Sequence, residues 1–334
     1  MFLKMKILKN SSKIFVAIII SLSIIITASA ADALIPLGHT TGIRISSSGA
    51  MVVGFSDDDA ASAARQSGLT VGDIITRIDD CEISSNSDIL KAVAESDGNP
   101  LTVEYVRNGK THTSKVTPAK NADGDFAIGI WVRDSVAGIG TMTYLNPDDM
   151  TYGALGHGIS EGETNTLVPL RDGTLLPSTV ANVIKGRAGH PGELVGNFER
   201  GKTFAQISKN TEAGIFGKIT DASEIEKREA LPLAKRNEIK RGPATILSNI
   251  EGDEVCEYEV EITSIYFDGE KTKNMLIRAT DPELLSKTGG IVCGMSGSPI
   301  IQNGKLVGAV THVLVNDPTK GYAIFIDNIL DAAA

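Results

Sequence analysis

From Phe126 to the C-terminus a glycine recurs every few residues, and no apolar run is long. This argues against long helices, because glycine inside a helix is destabilising by about 1 kcal/mol relative to alanine. It suits short strands joined by tight turns. AIGIWV, GIGTMTYL, TLVPL, EVCEYEVEITSIYF, NMLIRAT, GGIVCGM and PIIQNGKLVGAVTHV read as such strands, so this region is expected to be a β barrel or sandwich. The 34 glycines and 5% aromatic content agree with a loop-rich β protein. One stretch differs. Residues 221–241 are rich in charge, and Pro232 interrupts any long helix, so a surface loop with short helices is expected there.

The preceding region, 34–118, has another rhythm. Gly42–Ile45 and Ala50–Val53 read as strands around a Ser-Gly turn. Ala60–Gly68 reads as a short helix ending on a glycine cap, and GDIITRIDD as a strand entered through Gly72. Ser85 with Asp88 predicts a capping box that opens a helix with Ile89, Leu90 and Val93 on one face. LTVEYV and THTSKV flank Asn108-Gly109, a hairpin signal. This succession resembles a PDZ domain, and SGLTVGDIITRIDD resembles the A-G-L-x-x-G-D-x-I segment of bacterial protease PDZ domains. The resemblance implies binding of extended peptide segments by strand addition near Gly42–Ile45, beside the helix at 87–94. The loop LGHTTGIRI is longer and more polar than the usual apolar-Gly loop of such domains.

Four lysines (Lys4, Lys6, Lys9, Lys13) precede the apolar run Ile14–Ala30, which ends in Ala-Ser-Ala. Residues 1–30 therefore read as a signal peptide or a membrane anchor, and both place the body outside the cytoplasm. The net charge of −9 becomes −13 without those lysines. No basic stripe is present, which argues against nucleic acid as a partner. Cys81, Cys256 and Cys293 have no metal-binding spacing, and two of them could pair in an exported chain.

Between two apolar runs lies GMSGSP, residues 294–299. Acyl transfer needs a hydroxyl nucleophile, an imidazole base, a group that orients the base, and two N–H donors for the oxyanion. Ser296 suits the first role, and the N–H groups of Gly294 and Ser296 suit the last. The stretch resembles the G-x-S-G-x-P loop of chymotrypsin-like serine proteases. It is not the G-x-S-x-G elbow, because position 298 is serine. Ser298 and Cys293 remain alternative nucleophiles. Of five histidines, His157 in YGALGHGI is flanked by glycines that leave its ring accessible, and His312 is the alternative base. Asp281 precedes Ser296 by 15 residues and could orient the base. Asp281-Pro282 also reads as an ordinary helix start, with Asp281 as N-cap.

GALGHGI, ATDPELL and GIVCGMSGSPIIQNGKLVGAVTHVLVNDPTKGYAIFI, following the PDZ-like region in this order, resemble the stage IV sporulation protein B peptidase family. These are exported serine peptidases of endospore-forming Firmicutes. The resemblance spans nearly the whole chain and implies a mainly β fold. A signal or anchor at 1–30 and a PDZ domain at 34–118 would precede a trypsin-like double β-barrel peptidase at 125–334. It gives His157, Asp281 and Ser296 the roles of base, orienting acid and nucleophile. It makes Gly294 and Ser296 the oxyanion donors and Thr311 a supporting hydroxyl. Asp281 lies 124 residues beyond His157, farther than is usual in a two-barrel protease. No metal or organic cofactor is implied. The implied partners are protein substrates, namely the chain itself and a membrane-embedded regulator that restrains an intramembrane protease. The implied site of action is the forespore intermembrane space, and the implied outcome is activation of a late mother-cell sigma factor. A general envelope protease and an inactive PDZ binding module are the alternatives.

Overall fold

The computed structural model describes residues 33–334 apart from 58, 122, 163–165 and 200. The expected export segment at 1–30 lies outside the described residues. Two strands of 16 residues each, Thr40–Phe55 and Ile130–Leu145, organise the N-terminal half. They pair antiparallel from Thr40↔Thr141 to Ser46↔Ser135 and again from Met51↔Arg133 to Phe55↔Ile130. The Ser-Gly turn expected between two short strands is instead a bulge within one continuous strand. Four residues on one side, 47–50, oppose one on the other, Asp134, which bends the strand.

One half of this pair belongs to a six-stranded antiparallel ring. Thr40–Phe55 is followed around it by Leu170–Ile184, Ala205–Thr211, Gly214–Ile219, Thr151–Ala154 and Ile130–Leu145, and the last closes on the first. The ring encloses a core that includes Ile45, Met142, Tyr152, Leu175 and Phe204. The other half joins Ile74–Ile78, Leu101–Arg107 and Lys110–Val116, with Asp59–Gln66 and Asn86–Glu95 as helices. Leu101, Val103 and Tyr105 alternate inward along their strand, as a half-buried sheet requires. Asn108 and Gly109 turn the hairpin with φ of 52° and 71°. Ser85 accepts the N–H of Asp88, so the cap is as expected, although the Asp88 carboxylate binds the Ser84 N–H and hydroxyl. Ile89, Ala92 and Val93 are buried on the helix, whereas Leu90 is 61% exposed. The helical turn places Leu90 outside the stripe that Ile89 and Val93 share.

The first barrel thus takes one of its six strands from ahead of the PDZ-like insertion. This corrects one expectation. Gly42–Ile45 pairs with Ile43↔Gly138 on one side and Ile43↔Leu175 on the other, so it offers no free edge for peptide addition. Leu34–Ala334 forms one compact unit.

The second barrel is closed by Gly242–Ser248, Cys256–Ile265, Met275–Ala279, Lys320–Phe325, Lys305–Val313 and Pro299–Gln302. Its core includes Ile246, Ile277, Met295, Val310 and Phe325. The charged stretch at 221–241 carries two short 3₁₀ turns, Ala222–Glu224 and Arg236–Glu238, and a two-residue strand, Leu231–Pro232. GGIVCGM is not a strand. Its Ile291 and Val292 are buried in a turn that leads into residues 294–298. All three cysteines are free thiols.

Because Thr40–Ser47 closes the first barrel, a fragment of residues 124–334 would leave that barrel open along two edges. It is expected to unfold in a smaller circular-dichroism transition, at a lower temperature than the full chain, with the first barrel's share lost. A sharp transition equal to that of the full chain would show that the strand is dispensable.

Candidate active site

A cavity of about 1200 Å³ receives Ile139, Leu155 and His157 from the first barrel and Ser296, Thr311 and His312 from the second. The loop at its centre is held by successive backbone bonds. Cys293 N–H donates to Gly192, Met295 to Val292, Gly297 to Val310 and Ser298 to Met295, at 2.8–3.1 Å. The N–H groups of Gly294 and Ser296 have no acceptor among the described residues. Partly buried N–H groups normally find partners, so two free donors with one residue between them make a site for a developing negative charge.

Thr141 sets this loop in place. Its N–H donates to the Ser296 carbonyl at 3.1 Å and its hydroxyl to the Gly294 carbonyl at 2.7 Å. Glycine is required at 297, where φ is 100° and a Cβ would stand 2.0 Å from the Thr141 carbonyl oxygen. The Ser296 hydroxyl donates to the Thr311 carbonyl at 2.7 Å. The Thr311 hydroxyl faces elsewhere, donating to Thr272 at 3.0 Å. Thr311 therefore touches Ser296 through its backbone.

His157 follows two consecutive left-handed residues, Leu155 (φ 72°) and Gly156 (φ 68°). A left-handed leucine is uncommon and marks an imposed backbone path. The N–H of Leu155 donates to the Thr141 carbonyl, which fixes that path to the residue that also holds the loop at 294–298. Nδ1 of His157 lies 2.9 Å from the Gly158 carbonyl. A carbonyl only accepts, so Nδ1 carries the proton and Nε2 keeps its lone pair. Burial lowers the His157 pKa below 6.5, partly opposed by that bond. The His312 ring is 5.1 Å away, tilted by 36°. Burial, then His157 and Lys273, lower its pKa while Glu270 raises it, so it is neutral near pH 7. Part of the His312 side chain meets solvent, which moderates the effect.

The structure does not bring Asp281 to this pair. Its carboxylate caps the helix Pro282–Thr288, accepting from Glu283 and Leu284 at 2.9 Å, and also takes the N–H of Glu259 at 3.4 Å. Asp281 does not line the cavity, and no carboxylate bonds the His157 ring among the described residues. Ser298 is fully buried, with its hydroxyl 3.2 Å from that of Ser248, so it cannot meet a substrate. Cys293 lines the cavity, but burial and Glu193 raise its pKa and disfavour the thiolate. His39, His112 and His190 are not among the lining residues. Sequence reasoning missed Thr141 and the Gly158 carbonyl. Nothing in GIGTMTY distinguishes the first threonine from the second, and a backbone carbonyl has no sequence signal.

Thr141→Val removes the bond to Gly294 and keeps the one to Ser296. Loss of one such bond costs about 1 kcal/mol. We expect kcat to fall about tenfold with little change in KM, because the loop positions the reacting atoms. An unchanged kcat would show that the Thr141 hydroxyl does not set the loop.

Comparison with known families places residues 124–330, more than half of the chain, in the family described as SpoIVB peptidase S55, and residues 42–117 in the PDZ domain family. No curated protein matches the chain. Among solved structures, the active form of the Rv3671c protease from Mycobacterium tuberculosis is 17% identical. That match covers 59% of this chain and 73% of that one, with a TM-score of 0.35. The thermostable serine protease AL20 from an extremophilic microorganism is 11% identical, covering 59% and 91%, also with a TM-score of 0.35. The PDZ domain of an SdrC-like protein from Listeria monocytogenes is 23% identical, covering 25% and 87%, with a TM-score of 0.22. The chain belongs to the SpoIVB peptidase S55 family, and is a serine endopeptidase that carries a PDZ domain.

Proposed function

We propose that Ser296 is the nucleophile, His157 its base, and the N–H groups of Gly294 and Ser296 the oxyanion site. The observation that carries this reading is the pair of acceptor-free N–H groups beside the Ser296 hydroxyl in the cavity that also holds His157. The hydroxyl rests on the Thr311 carbonyl and must turn toward Nε2 of His157 before attack. Catalytic hydrogen bonds are often unformed without substrate. As the Ser296 oxygen bonds to the peptide carbon, His157 takes its proton. The carbonyl oxygen gains charge at the two N–H groups. His157 then gives the proton to the amine nitrogen as the C–N bond breaks, and water repeats the sequence on the acyl-enzyme.

The imidazolium formed on the way needs a partner. We assign that task to the Gly158 carbonyl, which holds Nδ1–H, and give Asp281 the helix cap. His312, neutral near pH 7, adds no repulsion.

The membership in this family supports a narrower role. After export, the peptidase would process itself and then cut a membrane-bound regulator of an intramembrane protease during sporulation, releasing a late mother-cell sigma factor. The N-terminal apolar run supports passage across, or retention in, the cytoplasmic membrane.

Three outcomes test these readings. Intact mass followed over time is expected to show trimming of the full chain at defined bonds and none in Ser296→Ala; equal trimming of both would remove Ser296 from the role. Asn caps helices as well as Asp does, so Asp281→Asn is expected to keep near wild-type activity. Asp281→Ala should lose about 1 kcal/mol of stability. A fall of about 10⁴ in kcat for Asp281→Asn, with stability intact, would restore the orienting-acid role. Finally, a lowered His157 pKa leaves the base neutral to lower pH. The acid limb of kcat/KM should have its midpoint below 6.5, with activity lost as pH falls through it. A midpoint above 6.5 would contradict a desolvated base.

A further inference from the structure

The cavity has two unlike walls, and the chemistry of the cut tells which part of the substrate meets each. The leaving amine must face His157, so the residue after the cut bond lies toward the first barrel. The carbonyl oxygen must face the N–H groups of Gly294 and Ser296, so the residue before the cut bond lies toward the second barrel. There the wall is made by the segment entering the nucleophile loop and the segment leaving Thr311. Ile291, Val292, Cys293, Val313 and Val315 line it.

Ile291 is the floor of this wall. Its N–H is tied to the Pro318 carbonyl at 2.8 Å, and only 1% of its surface is exposed. A Cβ placed on Gly321 would stand 2.8 Å from Ile291 Cδ1. The Ile291 side chain therefore occupies the space over Gly321, on the strand that pairs with Val313. Depth that a bare glycine would leave open is filled. The charged residues of the cavity, Glu212, Glu270 and Lys271, come from the turns at 211–214 and 266–274 and not from this wall.

We infer that this wall is the pocket for the side chain preceding the cut bond, that it takes a short aliphatic residue such as alanine or valine, and that Ile291 sets its depth. This inference rests on Ser296 being the nucleophile. A lysine or glutamate side chain would lay its charged end against Ile291, Val292, Val313 and Val315, whose side chains offer it no partner. A phenylalanine ring would overlap the floor, and overpacking a filled site is unfavourable. A short aliphatic side chain buries apolar surface without either penalty.

Peptidyl diphenyl phosphonates test the pocket without needing turnover. Ser296 would attack phosphorus, phenol would leave, and intact mass would report the adduct. We would compare Ala, Val, Phe, Lys and Glu analogues on the full chain, on Ile291→Ala and on Ser296→Ala. Alanine and valine analogues are expected to react at least about tenfold faster than the others. In Ile291→Ala the phenylalanine analogue should gain about tenfold relative to alanine. If that variant does not fold, Ile291→Val carries the same test with a smaller gain. A lysine, glutamate or phenylalanine preference in the wild type overturns the pocket and leaves the nucleophile standing. So does a phenylalanine-to-alanine ratio that neither floor variant changes. If no analogue modifies the wild type, Ser296 is not activated, and the pocket falls together with the nucleophile assignment.

Discussion

Thr141 is where two barrels become one site. Its N–H and hydroxyl hold the carbonyls of Ser296 and Gly294, and its own carbonyl takes the N–H of Leu155, two residues before His157. One buried residue thus ties the loop at 294–298 and the segment that carries His157 to the same point. Thr141 is itself paired with Thr40, so the tie depends on the strand that closes the first barrel. A site held by rigid strands needs little reorganisation when charge develops, which is the main source of electrostatic catalysis.

Electrostatics and backbone geometry act together around this tie. Burial keeps both imidazoles neutral near pH 7, so Nε2 of His157 keeps its lone pair and His312 places no charge beside it. Left-handed backbone at Leu155 and Gly156 on one side, and at Gly294 and Gly297 on the other, aims side chain and N–H groups into one cavity. Such conformations persist only where neighbours over-determine them. The bonds from Thr141 and Val310 to the two segments supply that constraint.

Much of this was legible in the chain. Glycine spacing announced β structure, Asn108-Gly109 became the hairpin turn such a pair favours, and Ser85 became an N-cap. GMSGSP became a loop with two acceptor-free N–H groups, because its glycines permit backbone that other residues resist. Other parts were not legible. Leu170–Ile184 carries Gly173 and Pro177 and half-exposed polar residues, so no clean alternation marks it as a strand. Asp281 had two readings of equal local merit, and only the placement of its helix separates them.

Composition, periodicity and turn residues act over a few positions, so the sequence by itself determined much of the element type, the glycine-serine loop at 294–298 and the glycine-flanked histidine. Tertiary structure alone decided that Thr40–Phe55 serves both the barrel and the PDZ-like sheet, since pairing partners lie about a hundred residues away. It alone decided that Thr141 meets residues 294 and 296, that a carbonyl rather than Asp281 holds the His157 ring, and that Ile291 fills the space over Gly321. Those are contacts between segments distant in the chain, and no local pattern encodes which distant neighbour a buried group will find.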